Sequence, residues 1–296
     1  MTIHVRHKMV CARRPHHGVR LTMPIESPLS GASHVVGCDA TTVKILAPKR
    51  CDRRSVYVFH ADGHVAFRVL DRGDAESVFA AIPGFRGVMM SDAGSVFTSK
   101  HREQLQIRMA LCNAHARRYF SDARETDKAT ADHALRLYRN VALYERSFAS
   151  LAPSARAKER GRIIAPMMEA FYKWLSENLS KTRQGTPIPV ASSYPFTFHE
   201  GMTVFVRDGR VAWTHNESER HLRHIVVGRK AWMFRGNMKS AKDACVLWSL
   251  AMSCRVNNVD PEKYLGDVLR ALPDVSASGL HAWTPRAYAL RHARAD

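Results

Sequence analysis

The 296 residues are 45% hydrophobic, enough to pack one large domain or two ordinary ones around a globular core. Lys and Arg (45) outweigh Asp and Glu (27) to leave +18 with 16 His in reserve; this favours a polyanionic partner, nucleic acid first, although a genome-wide preference for Arg gives the same excess. Six scattered Cys suit a reducing compartment, no basic-then-apolar leader opens the chain and no apolar run approaches the ~18 residues that span a bilayer, so a membrane protein is excluded and a cytoplasmic one expected.

Met1–Ala32 carries Arg13, Arg14, Pro15, His16 and His17 in a row without helical or alternating period, and reads as an irregular, poorly ordered basic segment. Three strand-like runs follow, Val35–Leu46, Ser55–His60 and Val65–Leu70. Cys51–Ser55 forms the first joint and the Asp-Gly pair in Ala61–Gly63 the second, a hairpin signal that predicts an antiparallel meander. Asp39 stands as a bare carboxylate inside the first run. An ionised group is costly to bury without a cation or hydrogen bonds, so Asp39 is a candidate metal ligand; on this stretch alone, a turn-capping Asp beside Thr41 and Thr42 is the better reading.

Ala75–Ile82 puts Val78, Phe79 and Ile82 on one helical face and stops at Pro83-Gly84. Gly87–Met90 is wholly apolar, as in a central parallel-type strand, and Asp92 lies at its C-terminal end, where ligands of α/β sheets bind. A further strand is predicted at Ile107–Cys112, then a helix from Asn113 bearing His115, Arg117 and Arg118. From Ser121 to about Leu179, apolar residues recur every three or four positions (Leu135, Tyr138, Val141; Ile164, Met167, Phe171, Trp174, Leu175), which predicts an inserted α-hairpin. Thr182–Pro195, with three Pro, reads as a connector, and Thr203–Val206 with Arg210–Trp213 as a small hairpin turned by Arg207-Asp208-Gly209. Thr214 then caps a helix holding Asn216, Glu219, Arg220, Leu222 and Arg223. Lys242–Val256 is a helix with Ala244, Leu247, Trp248, Ala251 and Met252 inward; Pro261–Leu272 is another with Pro at its first position, and the tail after Asp274 carries little signal.

Asp39 mid-strand, Asp92 at a strand end and Glu219 on a helix form a constellation in which carboxylates can converge on hard divalent cations. Two such ions ~3.5–4 Å apart activate the nucleophile of a phosphodiester and stabilise its leaving oxygen. From Val35 to Asp274 the sequence resembles the insertion sequence 66 family of bacterial DDE transposases. The likeness rests on ordered motifs: Asp39-x-Thr41-Thr42-Val43, the run ending Gly87-Val88-Met89-Met90-Ser91-Asp92, Cys112-Asn113-Ala114-His115-Ala116-Arg117-Arg118, Asp208-Gly209-Arg210, Asn216-x-x-Glu219-Arg220-x-Leu222-Arg223, Gly228-Arg229-Lys230-x-Trp232 and Pro261-x-x-Tyr264-Leu265-x-Asp267.

The resemblance implies an α/β, ribonuclease H-like mixed sheet flanked by helices, with an all-α insertion ahead of the catalytic Glu. It implies Asp39, Asp92 and Glu219 as the catalytic, metal-binding triad for Mg²⁺, with Mn²⁺ as substitute, acting on transposon ends and target DNA as a homo-oligomer with helper proteins of the same element. The chain then divides into a basic segment 1–32, core 33–120, helical insertion and connector 121–202, core with the Glu helix 203–258, and C-terminal helix and tail 259–296. Four departures stand out: Ala40 replaces an acidic residue, Thr214-His215 replaces Asp-Asn before Asn216, the stretch before Asp208 has Tyr194-Pro195 and no Trp between 175 and 212 where the family is helical with a Trp, and Met1–Ala32 does not match the end-recognition region of full-length relatives. A DNA-binding remnant without cleavage activity and a ribonuclease H-like nuclease are the alternatives that follow.

Each residue also has a plainer role. Glu219 can pair with Arg223 at i,i+4 on a solvated helix face. Cys112-x-x-His115 is half a zinc site with no second Cys/His pair at matching spacing, so a packing or phosphate-orienting role is expected rather than zinc; the resemblance implies that the pair, with Asn216, is a structural signature near the site. Arg117, Arg118, Arg220, Arg223, Arg229 and Lys230 are the predicted phosphate contacts, or else solubilising surface. Trp232 and Phe234 are expected in the core.

Overall fold

The structure is a computed structural model that describes residues 33–179 and 187–293. The basic segment expected at 1–32, Cys11 within it, and the start of the connector at 182–186 lie outside the described residues.

In the first strand, β1 (Val35–Ala47), Val36 and Cys38 turn to one face while Val43 and Ile45 turn to the other, so both faces are buried at different points along it. The chain reverses at Pro48 and Lys49, the latter at φ 60, and β2 (Arg50–Ala61) returns antiparallel. Cys51–Arg54, expected as the joint, therefore lie in the ladder. The polar run Asp52–Arg54 has no strand-like alternation of its own, but it pairs with Val43–Ile45 of β1, which does. After the Asp62-Gly63 turn, β3 (His64–Val69) completes the predicted meander.

The helix α1 (Ala75–Ala80), capped by the Asp74 side chain on the Ser77 N–H, leads to β4 (Val88–Ser91), whose four residues are all buried. A short α2 (Lys100–Gln104) connects it to β5 (Arg108–Leu111). β4 runs parallel to both β1 and β5, so the mixed five-stranded sheet has the order β3-β2-β1-β4-β5. Val36, Cys38, Phe59 and Met89 on one face pack with Phe79 and Ile82 of the α1 segment.

The helices α3 (Asn113–Asp122), α4 (Lys128–Ser147), α5 (Pro153–Glu159), α6 (Ala165–Leu179), α7 (Pro187–Thr197) and α8 (His199–Arg207) gather over the parallel end of the other face. This is more than the predicted α-hairpin. A π-helical turn at Arg160–Ile164 joins α5 to α6 and buries Arg160, which grips both carboxylate oxygens of Glu145 at 2.7 and 2.6 Å and donates to the carbonyls of Phe205, Asp208 and Val211. Two expectations are corrected here. Pro187–Thr197 is helical although it reads as a connector, because Ile188, Ala191 and Ser192 bury one face while Pro187 and Pro189 sit in a first turn that needs no N–H. Thr203–Val206 belongs to α8 and makes no hairpin: its β-branched residues suggest a strand, but Met202, Phe205 and Val206 bury at helical spacing.

Across the meander half of that face lies α9 (Asn216–Trp232), held by Leu222 and Ile225 against Val43, Ile45 and Val58. Trp232 is half-buried in this cluster, but Phe234 is exposed: the chain after α9 extends to bridge β1, with Arg235 bonded to Lys44 and Leu46, and turns the Phe234 ring outward. The next helix, α10 (Met238–Val256), covers the β3 edge. Its inner face runs through Ala241, Cys245, Ser249 and Ser253, while Leu247, expected inside, is exposed. The edge strand explains this: the Ser249 and Ser253 hydroxyls accept its outward Phe67 and Val65 N–H groups at 2.8 and 2.9 Å. The tail also folds. Tyr288 of α12 (Pro285–His292) packs on Tyr264 of α11 (Pro261–Ala271). Among the described residues no helix is long and apolar enough to cross a membrane.

Candidate functional site

β1 and β4 run parallel with Val35 beside Val88 and Gly37 beside Met90, an offset of 53 residues. The same 53 residues separate Asp39 from Asp92, so the register, carried two places past the last ladder pair, sets the two acids level. Alternation puts both on the face that α9 crosses. Glu219 sits in the first turn of α9. Gly37 keeps this corner compact, since a Cβ there would strike the His60 ring, and His60 Nε2 meets the buried Ser218 hydroxyl at 2.8 Å, fixing the helix start on β2.

All three acids are half-buried. Asp39 Oδ1 accepts the Ala40 N–H at 2.7 Å and Asp92 Oδ1 the Gly94 N–H at 3.0 Å, which orients each carboxylate and leaves its second oxygen for another partner. Burial, joined by the negative charges of Asp92 and Glu219, pushes the Asp39 carboxyl from 3.8 up to about 6 against the Ala40 hydrogen bond. In a chain of net charge +18, none of the three pairs with Lys or Arg among the described residues, and the Glu219–Arg223 pair is not formed. Half-buried carboxylates without a Lys or Arg partner suit the oxygen-rich environment a hard divalent ion requires.

The start of α3 is stitched to the start of α9. Asn113 donates its backbone N–H to Trp213 O at 3.1 Å and its side-chain amide to Met202 O and Trp213 O at 3.1 and 3.2 Å, while the His215 N–H points at Cys112 Sγ at 3.3 Å. His215 is buried, with Nε2 3.6 Å from Asp39 Oδ2. Burial and then His115 hold its ring down at about 4 against the charges of Glu219 and Asp92, so it is neutral at neutral pH. Burial also raises the Cys112 thiol, although the N–H groups of His215, His115 and Ala114 aim at its sulfur. Ligand atoms of Cys112, His115 and His215 lie within 4.8 Å of one another. Sequence spacing offers no second Cys/His pair to Cys112 and His115; the fold supplies His215 from about a hundred residues away. His215 and Asn113 are thus the site residues that spacing misses; the departure at Thr214-His215 is the one signal for the first. Asn216 is exposed at the helix start.

Arg117, Arg118, Arg220, Arg223 and Lys230 are exposed. Arg229 differs, because its Nη1 donates to Thr41 Oγ1 at 3.0 Å and Thr42 O at 2.7 Å, tying α9 to β1. A groove of about 680 Å³ begins at Thr214 and Asn216 and continues along Arg117, Arg136, Arg139 and Arg146, the last three from α4 and outside any motif.

The family model described as "Transposase IS66 family" matches residues 24–243. Among curated relatives, the uncharacterized protein y4hP of Sinorhizobium fredii is 26% identical over 287 residues, covering 88% of this chain and 52% of the relative. From the same organism, the uncharacterized protein y4jD is 27% identical, covering 64% of this chain and 39% of itself, and y4qI is 26% identical, covering 84% and 50%. The chain spans about half the length of the curated relatives it matches.

Proposed function

The chain belongs to the IS66 transposase family, and on that premise we propose that it is a DDE-type catalytic domain that cleaves transposon DNA and joins it to a target. The observation that supports this is a strand register that sets Asp39 and Asp92 level on the sheet face crossed by α9, with Glu219 in the first turn of that helix, the charges of Asp92 and Glu219 both felt by Asp39, and no Lys or Arg paired with any of the three among the described residues. That sheet, with helices on both faces, supports the ribonuclease H-like reading of the fold.

Asp39, Asp92 and Glu219 would hold Mg²⁺, with Mn²⁺ as substitute. Bound there, a pair of divalent ions supplies a hydroxide or 3′-hydroxyl nucleophile and stabilises the leaving oxygen. The protein's own groups do the rest. The Ala40 and Gly94 N–H groups each hold one oxygen of Asp39 and Asp92 and limit how those carboxylates rotate. Arg118, Arg220, Arg223 and Lys230 hold phosphates beside the acids, and the Arg117–Arg146 groove guides the flanking duplex as a chain of basic contacts. Arg229 holds the helix in place.

The test is strand nicking and transfer on DNA bearing the ends of the element, with Mg²⁺. Wild-type protein nicks, and Asp39→Asn, Asp92→Asn and Glu219→Gln each reduce the rate by at least about a hundredfold. Undiminished nicking by any of the three removes that residue from the triad. A DNA-binding protein without cleavage activity is the second reading, favoured by the His215 ring 3.6 Å from Asp39; tight DNA binding with no Mg²⁺-dependent nicking would support it.

A further inference from the structure

We propose that Cys112, His115 and His215 form a second, chemically distinct metal site that takes one zinc-class transition ion. Their sulfur and ring nitrogens lie within 4.8 Å of one another, close enough to share an ion. This donor set of one thiolate and two imidazoles selects zinc-class ions and disfavours Mg²⁺, which prefers oxygen. A second observation points to a ligand independently: Nδ1 of His115 and Nδ1 of His215 are both buried without a hydrogen-bond partner, and the His215 residue is only 2% exposed. A ring nitrogen so placed is costly unless something receives its lone pair.

Burial keeps the free Cys112 a thiol, and two contacts favour a thiolate and an oriented imidazole once an ion is bound. The backbone N–H of His215 points at Cys112 Sγ at 3.3 Å, which favours negative charge on the sulfur. His215 Nε2 faces Asp39 Oδ2 at 3.6 Å, so the ring can bind an ion through Nδ1 while its other nitrogen carries the proton toward a carboxylate, the arrangement that fixes tautomer and orientation in metal-bound histidines. Binding converts the Cys112 thiol to a metal-bound thiolate and releases one proton to solvent; the histidines bind as neutral rings. Three protein ligands leave the fourth position for water or another incoming donor. The bound ion would lock the start of α9 to the start of α3 and so hold His215 against Asp39. The site does not depend on the acidic triad being catalytic.

The experiment uses the full chain, free of tag histidines and stripped of metal, titrated with Co²⁺ as the spectroscopic probe. The expected result is a thiolate-to-cobalt charge-transfer band that saturates at one equivalent and is displaced by Zn²⁺, with affinity read from the band. Cys112→Ser abolishes the band and His215→Asn weakens Co²⁺ binding at least tenfold, with far-ultraviolet circular dichroism unchanged. Cys51→Ser, at an exposed thiol, and Asp92→Asn, which the triad needs and this site does not touch, both keep the band. The absence of a charge-transfer band in the wild type, its loss in Cys51→Ser, or full-affinity binding by a folded His215→Asn would each overturn the site. Because Asp92→Asn loses nicking but keeps the band, failure of the triad and failure of this site are read separately.

Discussion

Asp39 exchanges its proton near pH 6 in the folded chain, against 3.8 for an ordinary aspartate. The folded state therefore holds that proton more tightly than the unfolded one. Its contribution to stability is fully present below about pH 3.8 and is lost as pH rises through 6, costing about 1–3 kcal/mol at neutral pH. Asp39→Asn is accordingly expected to raise the thermal midpoint at pH 7.5 in metal-free buffer and to leave it nearly unchanged at pH 3.5. Thermal unfolding of both proteins at both pH values checks this, and a lower midpoint for the variant at pH 7.5 would contradict it. At this scale the sequence is informative about the acids, because the 53-residue spacing of Asp39 and Asp92 is also the strand register. For His215 its one signal is the departure at Thr214-His215, because the partners Cys112 and His115 reach it only through the docking of two helix starts.

Among the elements, those with one clean apolar period are legible and those with mixed signals are not. β4, with four buried residues in a row, and α3, starting at Asn113, fall where the sequence puts them. α7 and α8 do not, because three prolines and a β-branched run argue for loop and strand while burial against the parallel half of the sheet decides for helix. The inner face of α10 is misjudged for a related reason: hydropathy nominates Leu247, but the neighbour is a strand edge that needs acceptors, and serines supply them. Replacing Ser249 or Ser253 by Ala leaves one β3 N–H without its acceptor and should cost about 1–3 kcal/mol each. Denaturant unfolding measures the loss, and faster hydrogen exchange at Phe67 for Ser249→Ala, and at Val65 for Ser253→Ala, locates it. Unchanged exchange at those two amides would show that the hydroxyls do not carry the edge.

Over the whole molecule, the net charge of +18 sets the sign of the partner it can attract. Exposed arginines from α3, α4 and α9 border the site, so DNA affinity should fall steeply with salt. Arg118→Ala and Arg223→Ala are each expected to lower the slope of log affinity against log salt by about 1, whereas Arg229→Ala, already bonded to Thr41 and Thr42, should leave the slope unchanged and lower stability instead. Fluorescence anisotropy over a salt series distinguishes the two outcomes. Composition alone suggests a polyanionic partner; which arginines face it depends on helix packing that no short spacing encodes.

The convergence of the three acids is tested most directly by titrating Mn²⁺ into the metal-free chain and into Asp39→Asn, Asp92→Asn and Glu219→Gln, reading bound ion by electron paramagnetic resonance. Each substitution should weaken Mn²⁺ binding at least tenfold, about 1.4 kcal/mol, without altering the Co²⁺ spectrum of Asp92→Asn or Glu219→Gln. Wild-type Mn²⁺ affinity in any one of them would mean that the three carboxylates do not share an ion.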